Sequence, residues 1–411
     1  MRLAGLPSLY HNHALRAYAG SLGISMTADF GFITVVPIQA ARVLGAPAAG
    51  LVLALNIAPT VIAGTYLSTY ADRLPRRAVM LVTEGARALA MLLLVLFPKE
   101  LWSLLTVALA TGILSTLNTT ARKAVLPSLV GDGSLQGANA AAMAAGAVGQ
   151  LLGPVAAGLI MDHAGAAVAY AAVAAGYLAA TLALLPIPNL PAAVPAARRG
   201  KAALTQLHVM TLTVPRMLII TGVTFCLAGG ALNLLEMMIA ERLFQGGATG
   251  YGLIITAWGW GSLVGSVLLS SVAMPHTLKV YASSLLAIGA VVTLFGVAPQ
   301  LWMVVALSVA GGVAAAWRTV ISTMLMQQHT PDSLRGRAFG LLLVTGGAAM
   351  AASYLATGPL IAAVGVRSAC LIAGGVIAAS APLAPWLVRK APARREGAPE
   401  ASSDVPNGGG R

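Results

Sequence analysis

Long apolar runs separated by short charged connections are the dominant feature of this chain of 411 residues. A helix needs about 20 apolar residues to cross a bilayer, and lipid cannot pair with the open edges of strands. Charged residues make up only 9% of the chain, against about 25% in a soluble domain. The sequence therefore predicts an all-α membrane protein and excludes a soluble globular fold.

Twelve runs are long enough to span a membrane as helices. They lie at 15–41, 47–69, 78–97, 101–121, 138–161, 166–186, 217–240, 251–273, 277–297, 301–325, 338–362 and 367–388. The longest connection is rich in proline and divides the runs into six and six. We expect a six-helix bundle at 1–186, a cytoplasmic linker at 187–214, a second six-helix bundle at 215–388 and a disordered cytoplasmic tail at 389–411.

The distribution of lysine and arginine predicts the orientation. With a cytoplasmic N-terminus, 19 of these 25 residues fall in inner segments and four in outer loops. Basic residues accumulate in cytoplasmic loops, so we expect both termini in the cytoplasm. The net charge of +13 is then a topology signal, and because the bases form no single face it does not indicate nucleic-acid binding.

The sequence gives no indication of an enzyme or of a cofactor site. Its two cysteines, Cys226 and Cys370, lie inside apolar runs and lack metal-ligand spacing. We find no phosphate-binding P-loop, and the loops are too short for a catalytic domain. We therefore expect no catalytic residue, no metal and no cofactor, and a membrane-embedded enzyme or scaffold is the least favoured alternative.

A weak internal repeat supports two similar halves. GSLQGANA begins at Gly133, after the fourth run, and DSLRGRAF begins at Asp332, after the tenth run and 199 residues later. Parallel repeats related by an axis along the membrane normal are one plan of secondary transporters.

The stretch STYADRLPRR, at 68–77 between runs two and three, resembles the loop motif of the major facilitator superfamily. Ser68 and Pro75 stand where that motif has glycines, and the matching residues are Ala71, Asp72, Arg73, Arg76 and Arg77. The resemblance implies a twelve-helix secondary transporter whose two bundles alternate access to a central cavity.

The same resemblance implies a gating role for this loop. When the cytoplasmic side is closed, Asp72 would meet the start of span eleven, near 337–340, because a helix N-terminus attracts a carboxylate. Arg73, Arg76 and Arg77 would hold neighbouring helix ends and lipid phosphates.

The segment GQLLGPVAAG in run five is similar to the antiporter motif of exporters in that superfamily, through Gly149, Gly153, Pro154 and Gly158. The segments ARKAVLPSLV and QQHTPDSLRGRAFG resemble a bacterial branch that contains macrolide-efflux and enterobactin-export proteins. The resemblance implies a proton-driven exporter of hydrophobic or amphipathic small molecules, such as drugs, antibiotics or siderophores, in the bacterial cytoplasmic membrane. We expect a monomer. An importer of a small nutrient or organic anion is the alternative.

Ionisable residues inside apolar runs are costly and are therefore candidates for function. Asp29 lies near the middle of run one and is a candidate for proton coupling or for contact with a cationic substrate. Arg318, beside Trp317 in run ten, can pair with Asp29, hold an anionic substrate or reach toward the inner surface. Glu236, toward the outer end of run seven, either lines the mouth of the cavity or is solvated.

Glu84 and Arg87 are three positions apart in run three, so we expect them to pair on one helix face and to belong to a gate network. Arg122 is expected at the inner end of run four. The resembled superfamily has many proton-coupled members with an arginine at the middle of this span, and the chain departs from that pattern.

Overall fold

The computed structural model describes residues 12–62, 74–130, 135–188, 209–270 and 276–389. The loop residues Asp72 and Arg73, most of the predicted linker and nearly all of the predicted tail lie outside these ranges. The described residues form α-helices joined by short turns, with one short π-helix.

The first half of the chain forms six helices. They are α1 (His13–Leu44), α2 (Ala46–Ile62), α3 (Arg76–Leu96), α4 (Leu101–Leu129), α5 (Leu135–Ala164) and α6 (Ala166–Ala183). Helix α1 begins at Asn12, whose side-chain oxygen accepts a hydrogen bond of 3.0 Å from the backbone N–H of Leu15. This contact satisfies one of the free N–H groups of the first turn.

The second half begins with α7 (Thr213–Met238), which continues as a π-helix at Ile239–Leu243. It is followed by α8 (Gly247–Ser270), α9 (Thr277–Val297) and α10 (Leu301–Gln328). The segment Asp332–Ser380 is helical on both sides of a break at Gly365, and we name its parts α11 (332–364) and α12 (366–380). A short helix, α13 (Leu383–Arg389), ends the described chain.

The described helices lie at all twelve predicted positions. By length and composition, ten helical segments can cross a membrane; the segment Asp332–Val388 counts once among them, and α2 is shorter with 17 described residues. Three predicted boundaries were wrong, the first because α11 begins at Asp332 and not at 338. Helix α4 continues from position 121 to Leu129, and the last run is interrupted after Ser380, because Pro382 has no N–H to continue the ladder.

Glycines with positive φ make the tight turns between consecutive helices. Gly165 (φ 87, ψ 169) joins α5 to α6, and Gly365 (φ 79, ψ 165) joins α11 to α12. A side chain is strained in this backbone conformation, so glycine is needed at both turns. The two glycines are 200 positions apart, close to the spacing of the sequence repeat, and occupy equivalent places in the two halves.

The most extensive contacts between the two halves are made by two pairs of helices. Helix α5 packs against α8, and α2 packs against α11. Apolar burial differs between the two ends of the molecule. One continuous buried cluster joins both halves near the end of α1 and the start of α8. Toward the opposite end each half has its own separate buried cluster.

Candidate functional site

Glu84 of α3 is at the centre of a buried polar network in the first half. Its Oε1 atom accepts hydrogen bonds from Ser25 (2.7 Å), Asn118 (2.5 Å) and Arg122 (2.8 Å). Arg87, one turn further along α3, also donates to this atom at 3.4 Å. These contacts tie α1 and α4 to α3, and we call the set Asp29, Glu84, Arg87 and Arg122 the Glu84 network.

Asp29 of α1 joins this network through Arg87. The Arg87 guanidinium donates to Asp29 Oδ1, and the hydroxyl of Tyr177 in α6 donates to the same oxygen at 2.8 Å. Arg87 also lies over the Tyr177 ring, 4.5 Å from its centre. The Asp29 side chain is 20% exposed while that of Arg87 is 2% exposed, so Asp29 is the accessible member of the pair.

Two acids and two bases balance formally within the Glu84 network. Buried charges are tolerated when each has a partner and further hydrogen bonds. Three atoms remain buried without a hydrogen bond: Glu84 Oε2, Arg87 Nε and Arg122 Nη1. The network therefore has unused donors and an unused acceptor that a rearrangement can engage.

The structure corrects two expectations about these charges. Asp29 pairs with Arg87 in its own half and not with Arg318 across the two halves. Arg122 is 4% exposed and is seven residues before the end of α4, because the helix extends beyond the predicted span. The expected Glu84–Arg87 pair is present. Sequence reasoning missed the polar partners Ser25 and Asn118, since single small polar residues are common in apolar helices.

Arg318 of α10 lies in the second half and stacks on Phe225 of α7, with its guanidinium carbon 3.9 Å from the ring centre. Its Nε atom is buried and has no hydrogen bond. Trp317 points elsewhere, because its indole N–H donates to the carbonyl of Gly265 in α8 at 2.9 Å. Trp317 thus positions α10 against α8.

Glu236 is buried near the end of α7, with 4% of its surface exposed, so the solvated alternative is wrong. Its Oε1 atom has no hydrogen-bond partner. The titratable groups that interact with it are Tyr251 of α8, Tyr354 of α11 and Cys370 of α12, and no described residue forms an ion pair with it.

Three charged residues connect the halves at the end where the buried cluster is continuous. Arg42, near the end of α1, donates to both carboxylate oxygens of Glu241, at 2.6 and 3.0 Å, and to Asp162 at 3.0 Å. Asp162, near the end of α5, also accepts from the backbone N–H groups of Ala248 and Thr249 at the start of α8. We call Arg42, Asp162 and Glu241 the Arg42 cluster.

Sequence reasoning did not identify the Arg42 cluster. Each residue is close to a helix end, where a charge is ordinary. Arg42 is 120 positions from Asp162 and 199 from Glu241, so only the fold brings the three together.

The glycines of the α5 motif are contact points on two sides of that helix. A Cβ added to Gly149 or Gly153 would lie within 2.5 Å of α1, at Met26 and at the Thr27 carbonyl. A Cβ at Gly158 would lie 2.5 Å from the carbonyl oxygen of Ala248 in α8. Pro154 faces α8, where its carbonyl oxygen would be 2.5 Å from a Cβ on Gly252.

Of the loop motif, Arg76 and Arg77 are described and Asp72 and Arg73 are not. Arg76 donates to the carbonyl of Ala124 in α4 at 2.6 Å, and Arg77 donates to the carbonyl of Leu185 just after α6 at 2.7 Å. Both arginines begin α3 and connect it to its neighbours.

The helical architecture of two packed halves agrees with the family to which the sequence is similar. The sequence profile of the Major Facilitator Superfamily matches residues 18–246 and 218–407. The chain belongs to the Major Facilitator Superfamily. It is therefore a multi-pass membrane transporter that binds a small molecule, and not an enzyme.

Among members of the superfamily, the chain is similar to enterobactin exporters. The enterobactin exporters EntS of Escherichia coli strain SE11 and of Shigella boydii serotype 18 are each 31% identical over 328 residues. Each alignment covers 73% of this chain and 74% of the relative.

Solved structures show the same superfamily fold at low identity. The nucleoside transporter NupG is 14% identical, with a TM-score of 0.69 over 91% of this chain and 98% of that one. A bacterial homologue of the lysosomal transporter Spinster, in an inward-facing and unoccupied conformation, is 13% identical, with a TM-score of 0.67 over 92% of this chain and 96% of that one.

Proposed function

We propose that this transporter is a proton-driven exporter of hydrophobic or amphipathic small molecules, siderophores among them, in the bacterial cytoplasmic membrane. The observation that carries the proposal is the difference between its two ends: one buried cluster joins the halves at the Arg42 end, and separate clusters fill the halves at the other. Two bodies joined at one end can rock about a central site. The similarity to enterobactin exporters supports the outward direction and the substrate class.

In this proposal residues 1–186 and 215–388 are the two moving bundles, the protein is a monomer, and both termini are cytoplasmic. The Arg42 end is then the outer end. The described state is open toward the cytoplasm, because the apolar cluster and the Arg42 cluster close the outer end.

Asp29 is the proposed coupling residue. It is partly exposed, and within the described residues its hydrogen bonds are to Arg87 and Tyr177. Uptake of a proton by Asp29 removes one of the two negative charges that Arg87 faces, so protonation weakens this contact between α1 and α3. Glu236 is the second candidate, since an unpaired buried carboxylate is costly and a neutral acid is less so.

The loop motif supplies the proposed gate for the opposite state. The start of α11 has room for it: a Cβ at Gly336 or Gly340 would meet no atom within 4 Å. We propose that Asp72 docks there when the inner end closes, while Arg73, Arg76 and Arg77 hold the flanking helix ends. Gly149, Gly153, Pro154 and Gly158 provide the surface on which α5 meets α1 and α8.

Export from cells tests the proposal directly. Cells that produce enterobactin but lack their own exporter should release it to the medium when this chain is expressed, and Asp29→Asn should lower the release at equal protein level. Unchanged retention of enterobactin and of a panel of amphipathic antibiotics would reject the export proposal. Import of a small nutrient or organic anion is the alternative, and uptake that rises on expression would favour it.

A further inference from the structure

Arg318 differs from the buried arginines of the first half because it has no counter-charge. Arg87 and Arg122 each contact a carboxylate, whereas Arg318 forms no ion pair and no hydrogen bond within the described residues. Its guanidinium stacks on Phe225. A cation at this depth in a membrane helix is costly without a partner, so residues of this kind mark substrate paths.

The position of Arg318 is close to the interface between the halves. Phe225 is followed in α7 by Cys226, whose sulfur would lie 3.3 Å from a Cβ on Gly346 of α11. The next residue, Gly347, packs on Val61 of α2, which belongs to the other half. Helix α11 therefore lies between the stacked pair Arg318–Phe225 and α2 of the other half.

Among the described residues, no hydrogen-bond partner lies at the Nη edge of the guanidinium. Phe225 covers a face, and Nε is buried. Neither Nη atom is hydrogen-bonded or among the buried unpaired atoms, and Arg318 is only half-buried. Two adjacent N–H groups on a planar fork match the two oxygens of a carboxylate or of neighbouring phenolates.

We propose that Arg318 and Phe225 form a substrate site for an organic anion. The carboxylate or phenolate of that anion would lie against the Nη edge of Arg318. This inference rests on the proposed export function and names the charge of its substrate. In the opposite half, the two acids and two bases of the Glu84 network balance, so that network carries no formal net charge.

Binding to the purified full chain tests the site without any ion gradient, so its outcome is separate from that of export. The protein is placed in phosphatidylcholine nanodiscs and titrated calorimetrically with benzoate, salicylate and enterobactin, and with neutral salicylamide. At least one of the three acidic probes should bind about tenfold more tightly than salicylamide, and Arg318→Gln should remove about tenfold of that affinity. Arg318→Lys, which retains the charge, should lose less.

The matched control is Arg367→Gln, the same change at an exposed position of α12, which should bind like the unmodified protein. Equal affinity of the acidic probes for Arg318→Gln and Arg367→Gln would overturn the proposal, as would no binding by any of the three.

A lipid phosphate is the other source of an anion. Phosphatidylglycerol is therefore tested for displacement of the probes, and for co-purification with the unmodified protein but not with Arg318→Gln. If it shows both, the site binds lipid and the proposal is overturned.

Discussion

At the scale of single residues, Glu84 determines whether the buried charges of the first half are tolerated. One carboxylate oxygen accepts from Ser25, Asn118, Arg87 and Arg122, so four donors depend on one acceptor. Removing one partner of a buried ion pair costs more than the pair contributes, because the other charge remains buried.

Glu84→Gln should therefore destabilise the protein by about 3–5 kcal/mol, since two buried arginines lose a counter-charge. The measurement is thermal or denaturant unfolding in detergent, followed by size-exclusion fluorescence. Glu100→Gln is the control, because Glu100 is exposed just before α4 and its replacement should leave the midpoint unchanged. Equal midpoints for the two variants would contradict the role given to Glu84.

Asp29→Asn should have a different effect, because Arg87 still contacts Glu84. The amide imitates the protonated acid, so we expect substrate exchange without a gradient to persist and gradient-driven accumulation to fall about tenfold or more. Assays of exchange and of gradient-driven accumulation in proteoliposomes distinguish these two activities. An Asp29→Asn protein that still accumulates substrate with the same pH dependence would exclude Asp29 as the coupling residue.

At the scale of the helix, α5 connects the halves because small residues line two of its sides. Gly149 and Gly153 admit α1, and Gly158 admits the start of α8. Close approach of backbones is the usual basis of helix association in membranes, where burial of apolar surface gives little driving force.

Gly158→Ala should weaken closure of the outer end, since the added Cβ would lie 2.5 Å from the Ala248 carbonyl oxygen. We expect a thiol-reactive label to react faster with the cysteine of Arg42→Cys when the chain also carries Gly158→Ala. The matched control is Gly85→Ala in α3, where a Cβ would meet no atom within 4 Å. Equal labelling rates in the two backgrounds would show that α5 and α8 separate freely in spite of this contact.

The helices themselves could be predicted from the sequence, and their partners could not. Apolar runs determine which residues enter a bilayer, so a described helix lies at each of the twelve predicted runs, although several boundaries differ. Periodicity carries no information on which charge of one helix meets which charge of another. Asp29 was thus given Arg318 as a possible partner, although it pairs with Arg87, two helices further along the same half. The turn glycines Gly165 and Gly365 followed the repeat spacing, but their positive φ was not predicted.

At the scale of the whole molecule, the Arg42 cluster and the continuous apolar cluster close the same end. Exposed ion pairs contribute little on their own, typically below about 1 kcal/mol. Arg42 is bound on two sides and Asp162 is supported by backbone N–H groups, so the cluster biases the balance between open and closed states without fixing it.

Arg42→Glu should shift that balance toward an open outer end, because three acids then face each other. One spin label is placed at Lys99 in the first half and one at Arg367 in the second half. Double electron–electron resonance should then show a longer distance between them. Adding Glu241→Arg should restore the shorter distance by reversing the pair. Failure of the double variant to recover would show that the charges do not act as a pair.

The central claim is that the halves alternate to export a substrate against a proton gradient, and flux in everted membrane vesicles tests it most directly. With the vesicle interior acidified by respiration, labelled enterobactin should accumulate inside vesicles that contain the chain. A protonophore should abolish the accumulation, and vesicles with Asp29→Asn should accumulate at least about tenfold less. Accumulation that is absent from everted vesicles and present in right-side-out vesicles, or that survives the protonophore, would contradict the account.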